Sequence, residues 1–115
     1  MHGLWKQAIR KNLKMIVKKH VSSAGKLVLA ICDASLIGKF FEDKEKKLDL
    51  SSHFYKGEEM EKEEVKKLMK KSYILNIVGE KSLETAREIL KISSSNVLYV
   101  EGIPHAQVLF IPKDE

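Results

Sequence analysis

One pair of adjacent residues and one distant histidine carry the side chains that a catalytic site would need. Cys32 and Asp33 end an apolar run, and His105 lies in the segment 101–105, which is predicted to be a hairpin loop. A cysteine nucleophile needs a neighbouring base to form its thiolate, and His105 would be that base if the two segments meet. The alternative is structural, because a cysteine in an apolar run is usually a small hydrophobe and aspartate favours turns. We therefore expect Cys32 to be buried and unreactive.

The remaining potential metal ligands lack the spacing of a metal site. No two of the four histidines form an HxH or HxxxH pair, and the single cysteine excludes an intrachain disulfide and a cysteine-based zinc site. The sequence therefore predicts no metal and no cofactor. The histidines are His2, His20, His53 and His105.

A glycine-containing segment, residues 76–82, is a candidate phosphate site. It is predicted to lie between two helices, where free N–H groups at the start of the second helix, with Lys81 and Ser82, would hold a nucleic-acid phosphate. The alternative is that Gly79 only terminates a helix with a positive φ. Glu80 favours that alternative, since its charge would repel phosphate.

Two adjacent aromatic residues, Phe54 and Tyr55, precede Lys56. Exposed aromatic rings beside a lysine suit stacking on the bases of single-stranded RNA. The alternative is one ring anchored in the core and one partly exposed.

The positive charge of the chain is concentrated at its beginning. Residues 1–32 contain seven basic residues and no acidic one, whereas the rest contains 14 basic and 16 acidic residues. Such a segment would track the phosphates of a polyanion. The alternative is a solubilising tail followed by an edge strand protected by lysines. The residues predicted to contact nucleic acid here are Lys6, Arg10, Lys11, Lys14, Lys18 and Lys19.

The elements that must position these residues follow from apolar spacing. Strands are predicted at 14–21, 26–32 and 47–50, helices at 60–78 and about 80–91, and strands at 97–100 and 107–111. The order β-β-β-α-α-β-β is typical of a small α/β domain of the α+β type, with two helices packed on a largely antiparallel sheet. Residues 1–13 are interpreted as a basic N-terminal arm, 14–112 as a single compact domain and 113–115 as a tail.

Four segments in order resemble an archaeal family, domain of unknown function 424. They are LAICDASLIGKFFED (29–43), SSHFYKGEEM (51–60), LNIVGEKSLETA (75–86) and EGIPHAQVLFI (101–111). The resemblance implies a compact α/β fold in an archaeal cytoplasmic protein associated with translation and loosely with RNA binding.

Three functions are compatible with these patterns. The first is an RNA- or ribosome-associated accessory protein of archaeal translation. The second is a small enzyme that joins Cys32, Asp33 and His105. The third is a protein-interaction adaptor that uses Trp5 and the pair Phe54 and Tyr55 as anchors. A lone cysteine in an apolar run suits a reducing cytoplasm, where we expect the protein. Because no apolar stretch approaches the length of a membrane span, we expect no membrane partner.

Overall fold

A computed structural model describes residues 14–110. They form eight strands, two α-helices and two single turns of 3-10 helix (Ala34–Leu36 and Ser94–Asn96). The strands are β1 (Met15–Val21), β2 (Leu27–Asp33), β3 (Phe40–Asp43), β4 (Lys46–Asp49), β5 (Glu58–Met60), β6 (Ile74–Val78), β7 (Val97–Val100) and β8 (Ile103–Leu109). The helices are α1 (Lys62–Met69) and α2 (Glu80–Arg87).

Six of the strands form one sheet in the order β5-β1-β2-β6-β8-β7, and β3 pairs with β4 in a separate hairpin. Within the larger sheet only β2 and β6 are parallel; the other pairs are antiparallel. The predicted class, two helices on a largely antiparallel sheet in one small α+β domain, is confirmed.

The central strand β2 shows why the sheet has two covered faces. Leu29 and Ile31 face α1 and α2, and they pack there with residues such as Val65 and Leu83. Ala30 and Cys32 alternate with them and face the other side, where the β3–β4 hairpin and the segment that follows it lie. The apolar character of β2 at nearly every position thus reflects burial on both faces.

The predicted helix 60–78 is wrong in its second half. Residues 62–69 are helical, but 74–78 form the central strand β6 between β2 and β8. Leu75 and Val78 are nonetheless buried, Leu75 on the helix-covered face and Val78 on the other. Gly79 therefore joins a strand to a helix and does not end a helix.

The last hairpin is tighter than predicted. Glu101 and Gly102 alone connect β7 to β8, and both have positive φ, as a two-residue turn of type I′ requires. His105 consequently lies within β8, opposite Leu98, and not in a loop. The strands β3 and β5, which carry charged residues, were not predicted.

Candidate nucleic-acid interface

Asp33 is the best-connected polar side chain on the sheet. It ends β2 and is only 7% exposed, and its carboxylate accepts hydrogen bonds from the backbone N–H groups of Lys81 (3.1 Å) and Ser82 (2.8 Å). The Ser82 hydroxyl donates a third bond at 2.8 Å. Asp33 thus caps α2 from the neighbouring strand, and its charge suits the positive end of the helix dipole.

The close approach of this carboxylate depends on Gly79. A Cβ atom at this position would lie 2.3–2.6 Å from the carboxylate atoms of Asp33, and Gly79 has a φ of 104°. Glycine is therefore required for both space and backbone conformation.

Cys32 is fully buried beside this capped helix. Its Sγ–H donates to the backbone oxygen of Asp33 at 3.4 Å. Burial, and to a smaller extent the charge of Asp33, raises the pKa of the Cys32 thiol to about 12. The nearby Tyr55 hydroxyl is also buried, which raises its pKa to about 12. A thiol in this environment stays protonated at neutral pH, and the expectation that Cys32 is buried is confirmed.

His105 does not reach Cys32. The register aligns Cys32 with Val78 on the next strand and Val78 with His105 on the strand beyond. Two strand spacings separate the cysteine from the histidine by roughly 10 Å. Burial lowers the pKa of His105. The structure does not bring the three proposed catalytic residues into one reacting group, since Asp33 is engaged at α2 and Val78 stands between the other two.

The predicted phosphate site at residues 76–82 is also changed by the fold. The backbone N–H groups of Lys81 and Ser82, which would have held a phosphate, already bond Asp33. The side chain of Lys81 remains exposed, so its contact with nucleic acid stays a prediction.

Part of the sheet face opposite the helices is not covered by the β3–β4 hairpin. We define the open surface as the residues of two register rows on the face opposite the helices, away from the β3–β4 hairpin. Ala30, which lies between Lys18 and Asn76 in the first row, is fully buried in the cluster that contains Tyr55, and the other side chains of these rows range from half-buried to exposed. The open surface consists of Lys18, Asn76 and Gln107 in one row and His20, Val28, Ile74 and Leu109 in the other.

A stacked pair of rings borders the open surface. The rings of His20 and Phe54 are nearly parallel, with centroids 4.4 Å apart, and His20 Nε2 donates to the Phe54 carbonyl oxygen at 3.0 Å. Tyr55, by contrast, is 8% exposed and packs edge-on against Phe54. The pair is therefore one core anchor and one partly exposed ring, and contact of either ring with a base stays a prediction.

The loop that carries Phe54 is held close to β1. A Cβ atom at Gly57 would lie 2.0 Å from the backbone oxygen of Val17, so only glycine permits this approach. The segment then enters β5, which pairs with β1 at residues 15–17. This arrangement fixes Phe54 against His20, and Lys18 lies on the same face of β1 two residues before His20.

The basic residues predicted to contact phosphate are distributed unevenly. Lys6, Arg10 and Lys11 lie outside the described residues. Lys14 forms an ion pair with Glu59 at 3.7 Å, Lys18 belongs to the open surface, and Lys19 is exposed on the opposite face of β1. These assignments stay predictions, and Lys18 is the one that lies on the same face of β1 as His20.

Of the open surface the sequence patterns identified only Lys18, and they missed its three other polar residues, His20, Asn76 and Gln107. Asn76 offered a signal, because it is the only polar residue in the apolar run ILNIV. The helix predicted over 60–78 hides this signal, because a single polar residue is unremarkable on a helix.

Three further observations concern residues 14–110 only. No three His, Cys, Asp or Glu side chains in this range are grouped so that they could hold a metal ion. No helix in it has the length and apolar character needed to cross a membrane. A concave surface of about 460 Å³ is lined by Arg87, Leu90, Lys91, Ile92 and Ser93.

Comparison with known proteins gives a family and a structural neighbour. Residues 21–111 match the family described as "Protein of unknown function (DUF424)". The crystal structure of an uncharacterized conserved protein from the archaeon Methanopyrus kandleri is similar, with a TM-score of 0.72 and 22% sequence identity over 89% of this chain and 96% of that chain. No curated protein matches. At this identity the likeness shows a shared fold.

Proposed function

The chain belongs to the DUF424 family, and we propose that it binds single-stranded RNA through the open surface and its basic N-terminal segment. The observation that carries the proposal is the His20–Phe54 stack, which presents a ring at the border of an open sheet face that also contains Lys18. Bases stack on such rings, and a lysine next to them neutralises phosphate.

Charge supports the same partner. The two register rows of the open surface contain Lys18 and His20 and no carboxylate. The chain preceding β1 adds Lys6, Arg10 and Lys11 without an acidic residue. A polyanion bound to the open surface would therefore be attracted both by this surface and by the basic residues that precede β1 in the sequence.

An accessory role in translation, with a cytoplasmic location and a ribosomal particle as partner, is the finer part of the proposal. It rests on the family resemblance and not on the geometry. Sedimentation of native cell extract through a sucrose gradient tests it: the protein should travel with ribosomal particles at low salt and leave them as salt is raised.

RNA binding itself is tested by fluorescence anisotropy with a labelled single-stranded RNA of mixed sequence. Phe54→Ala should weaken binding about tenfold, because loss of one stacked base costs about 1–3 kcal/mol. Phe40→Ala is the matched control: Phe40 is also exposed but lies on β3, outside the open surface, and should leave the affinity unchanged. Equal effects of the two substitutions would show that the open surface is not the site.

The same assay over a series of salt concentrations separates the basic segment from the ring. Replacement of Lys6, Arg10 and Lys11 by glutamine should flatten the log–log salt dependence by roughly 2–3 if all three contact phosphate. Phe54→Ala should leave that slope unchanged. Absence of RNA binding at low salt would contradict the proposal.

A further inference from the structure

Asn76 occupies an unusual place for a polar residue. Asparagine is depleted in strands, yet Asn76 lies in the middle of β6, between β2 and β8. Its neighbours Leu75 and Ile77 are buried on the helix-covered face. Alternation along the strand therefore directs Asn76 to the open surface.

A second carboxamide lies directly beside it. Asn76 and Gln107 are register partners in the antiparallel pair β6–β8, which places their Cβ atoms about 5 Å apart. Asn76 is half-buried and Gln107 is exposed. Within residues 14–110 neither side chain has a hydrogen-bond partner.

Two adjacent carboxamides have the chemistry of base recognition. Each presents one acceptor and two N–H donors in a plane, and such groups pair with N6 and N7 of adenine. The corresponding edge of guanine has two acceptors, and the pyrimidines have no ring nitrogen there. In single-stranded RNA these edges are free to meet a protein surface. Lys18 lies in the same register row on the far side of buried Ala30, two strand spacings or roughly 10 Å from Asn76, so a phosphate next to a base held by the carboxamides would lie near a positive charge.

We infer that Asn76 and Gln107 read the edge of a nucleobase, with a preference for adenine, while Phe54 stacks a neighbouring base. This inference rests on the proposed RNA binding and deepens it, because lysine contacts and stacking alone do not select a sequence. It makes the open surface a reader of bases, with the basic segment supplying affinity.

The test compares labelled eight-nucleotide RNAs composed only of adenine, only of cytosine or only of uracil. The unaltered protein should bind the adenine RNA roughly tenfold more tightly than the other two, as one good bidentate contact allows. Asn76→Ala and Gln107→Ala should each lower affinity for the adenine RNA and leave the others nearly unchanged. Because Gln107 is exposed, its replacement tests the inference even if Asn76→Ala impairs folding.

Asn96→Ala is the matched control, since Asn96 is exposed in the 3-10 turn before β7 and lies outside the open surface. It should preserve the adenine preference. Equal binding of the three RNAs, or a preference that survives both substitutions, would overturn base reading while RNA binding stands. No binding of any RNA at low salt would overturn both proposals.

Discussion

At the carboxyl end of β2, Asp33 is enclosed and each of its contacts is made within the protein, whereas Asn76, on the adjacent strand of the same sheet, has a carboxamide that faces solvent. Asp33 accepts three hydrogen bonds from the start of α2. Asn76 and its partner Gln107 have no such bond among residues 14–110. We call these two regions the capped end and the open surface.

The comparison distinguishes polar side chains that are bonded within the fold from polar side chains that remain available to a partner. A buried carboxylate is tolerated when its oxygens are bonded, and at the capped end this requirement is met by Lys81, Ser82 and the space at Gly79. On the open surface Asn76 disfavours the strand without an internal hydrogen bond to offset this, since an apolar residue would suit the centre of β6 better. Residues such as Cys32 and Asp33, whose types suggest catalysis, thus serve the fold.

The largest expected effect that separates the two regions is a difference in thiol reactivity. Cys32 is buried with a pKa raised to about 12, so labelling requires that the protein open. A cysteine introduced as Gln107→Cys on the open surface should label at least about 1000-fold faster at neutral pH. Two well-separated kinetic phases in that variant, with only the slow one in the unaltered protein, are the expected result. Rapid labelling of Cys32 that is abolished by changing His105 would instead revive the enzyme hypothesis.

Stability should show the next largest effect. Asp33→Ala leaves two backbone N–H groups and the buried Ser82 hydroxyl without their partner, and should lower the free energy of unfolding by about 2–3 kcal/mol. Asn76→Ala, the matched change on the open surface, should alter it by less than about 0.5 kcal/mol. Urea unfolding of both variants measures the difference. Similar losses in the two would show that Asn76 is also a structural residue.

The capped end and the open surface also differ in how far the sequence could predict them. The hairpin β1–β2, the burial of Cys32 and the start of α2 followed from local patterns: a turn ending in Gly25, an unbroken apolar run, and a glycine before acidic Glu80. The use of Asp33 as a cap for a helix 47 residues later could not follow, because it depends on the parallel pairing of β2 with β6. That pairing is a long-range contact without a local signature.

The open surface was hidden by one wrong assignment. The run ILNIV is apolar at helical as well as at strand spacing, and as a central strand it shows no clear alternation. Its length of five residues and its β-branched content favour a strand, and Lys70, Lys71 and Ser72 mark where α1 ends. Once 74–78 is a strand, Asn76 is no longer on a helix and becomes the partner of Gln107.

The smallest expected effect lies at the boundary between the two regions, where His105 stands beside buried Val78 on one side and exposed Leu98 on the other. Burial lowers the pKa of His105 below its usual value of 6.5. The unfolded chain therefore binds a proton at a higher pH than the folded protein does, so stability is lost as pH falls through about 6.5. His105→Phe, which keeps a ring at this position, should reduce the loss of unfolding free energy between about pH 7 and pH 5, while above about pH 7.5 the two proteins should follow parallel curves. Identical slopes of unfolding free energy against pH in the acidic range would mean that His105 takes up its proton as readily in the folded protein as in water. His105 would then belong to the open surface and not to the covered part of the sheet.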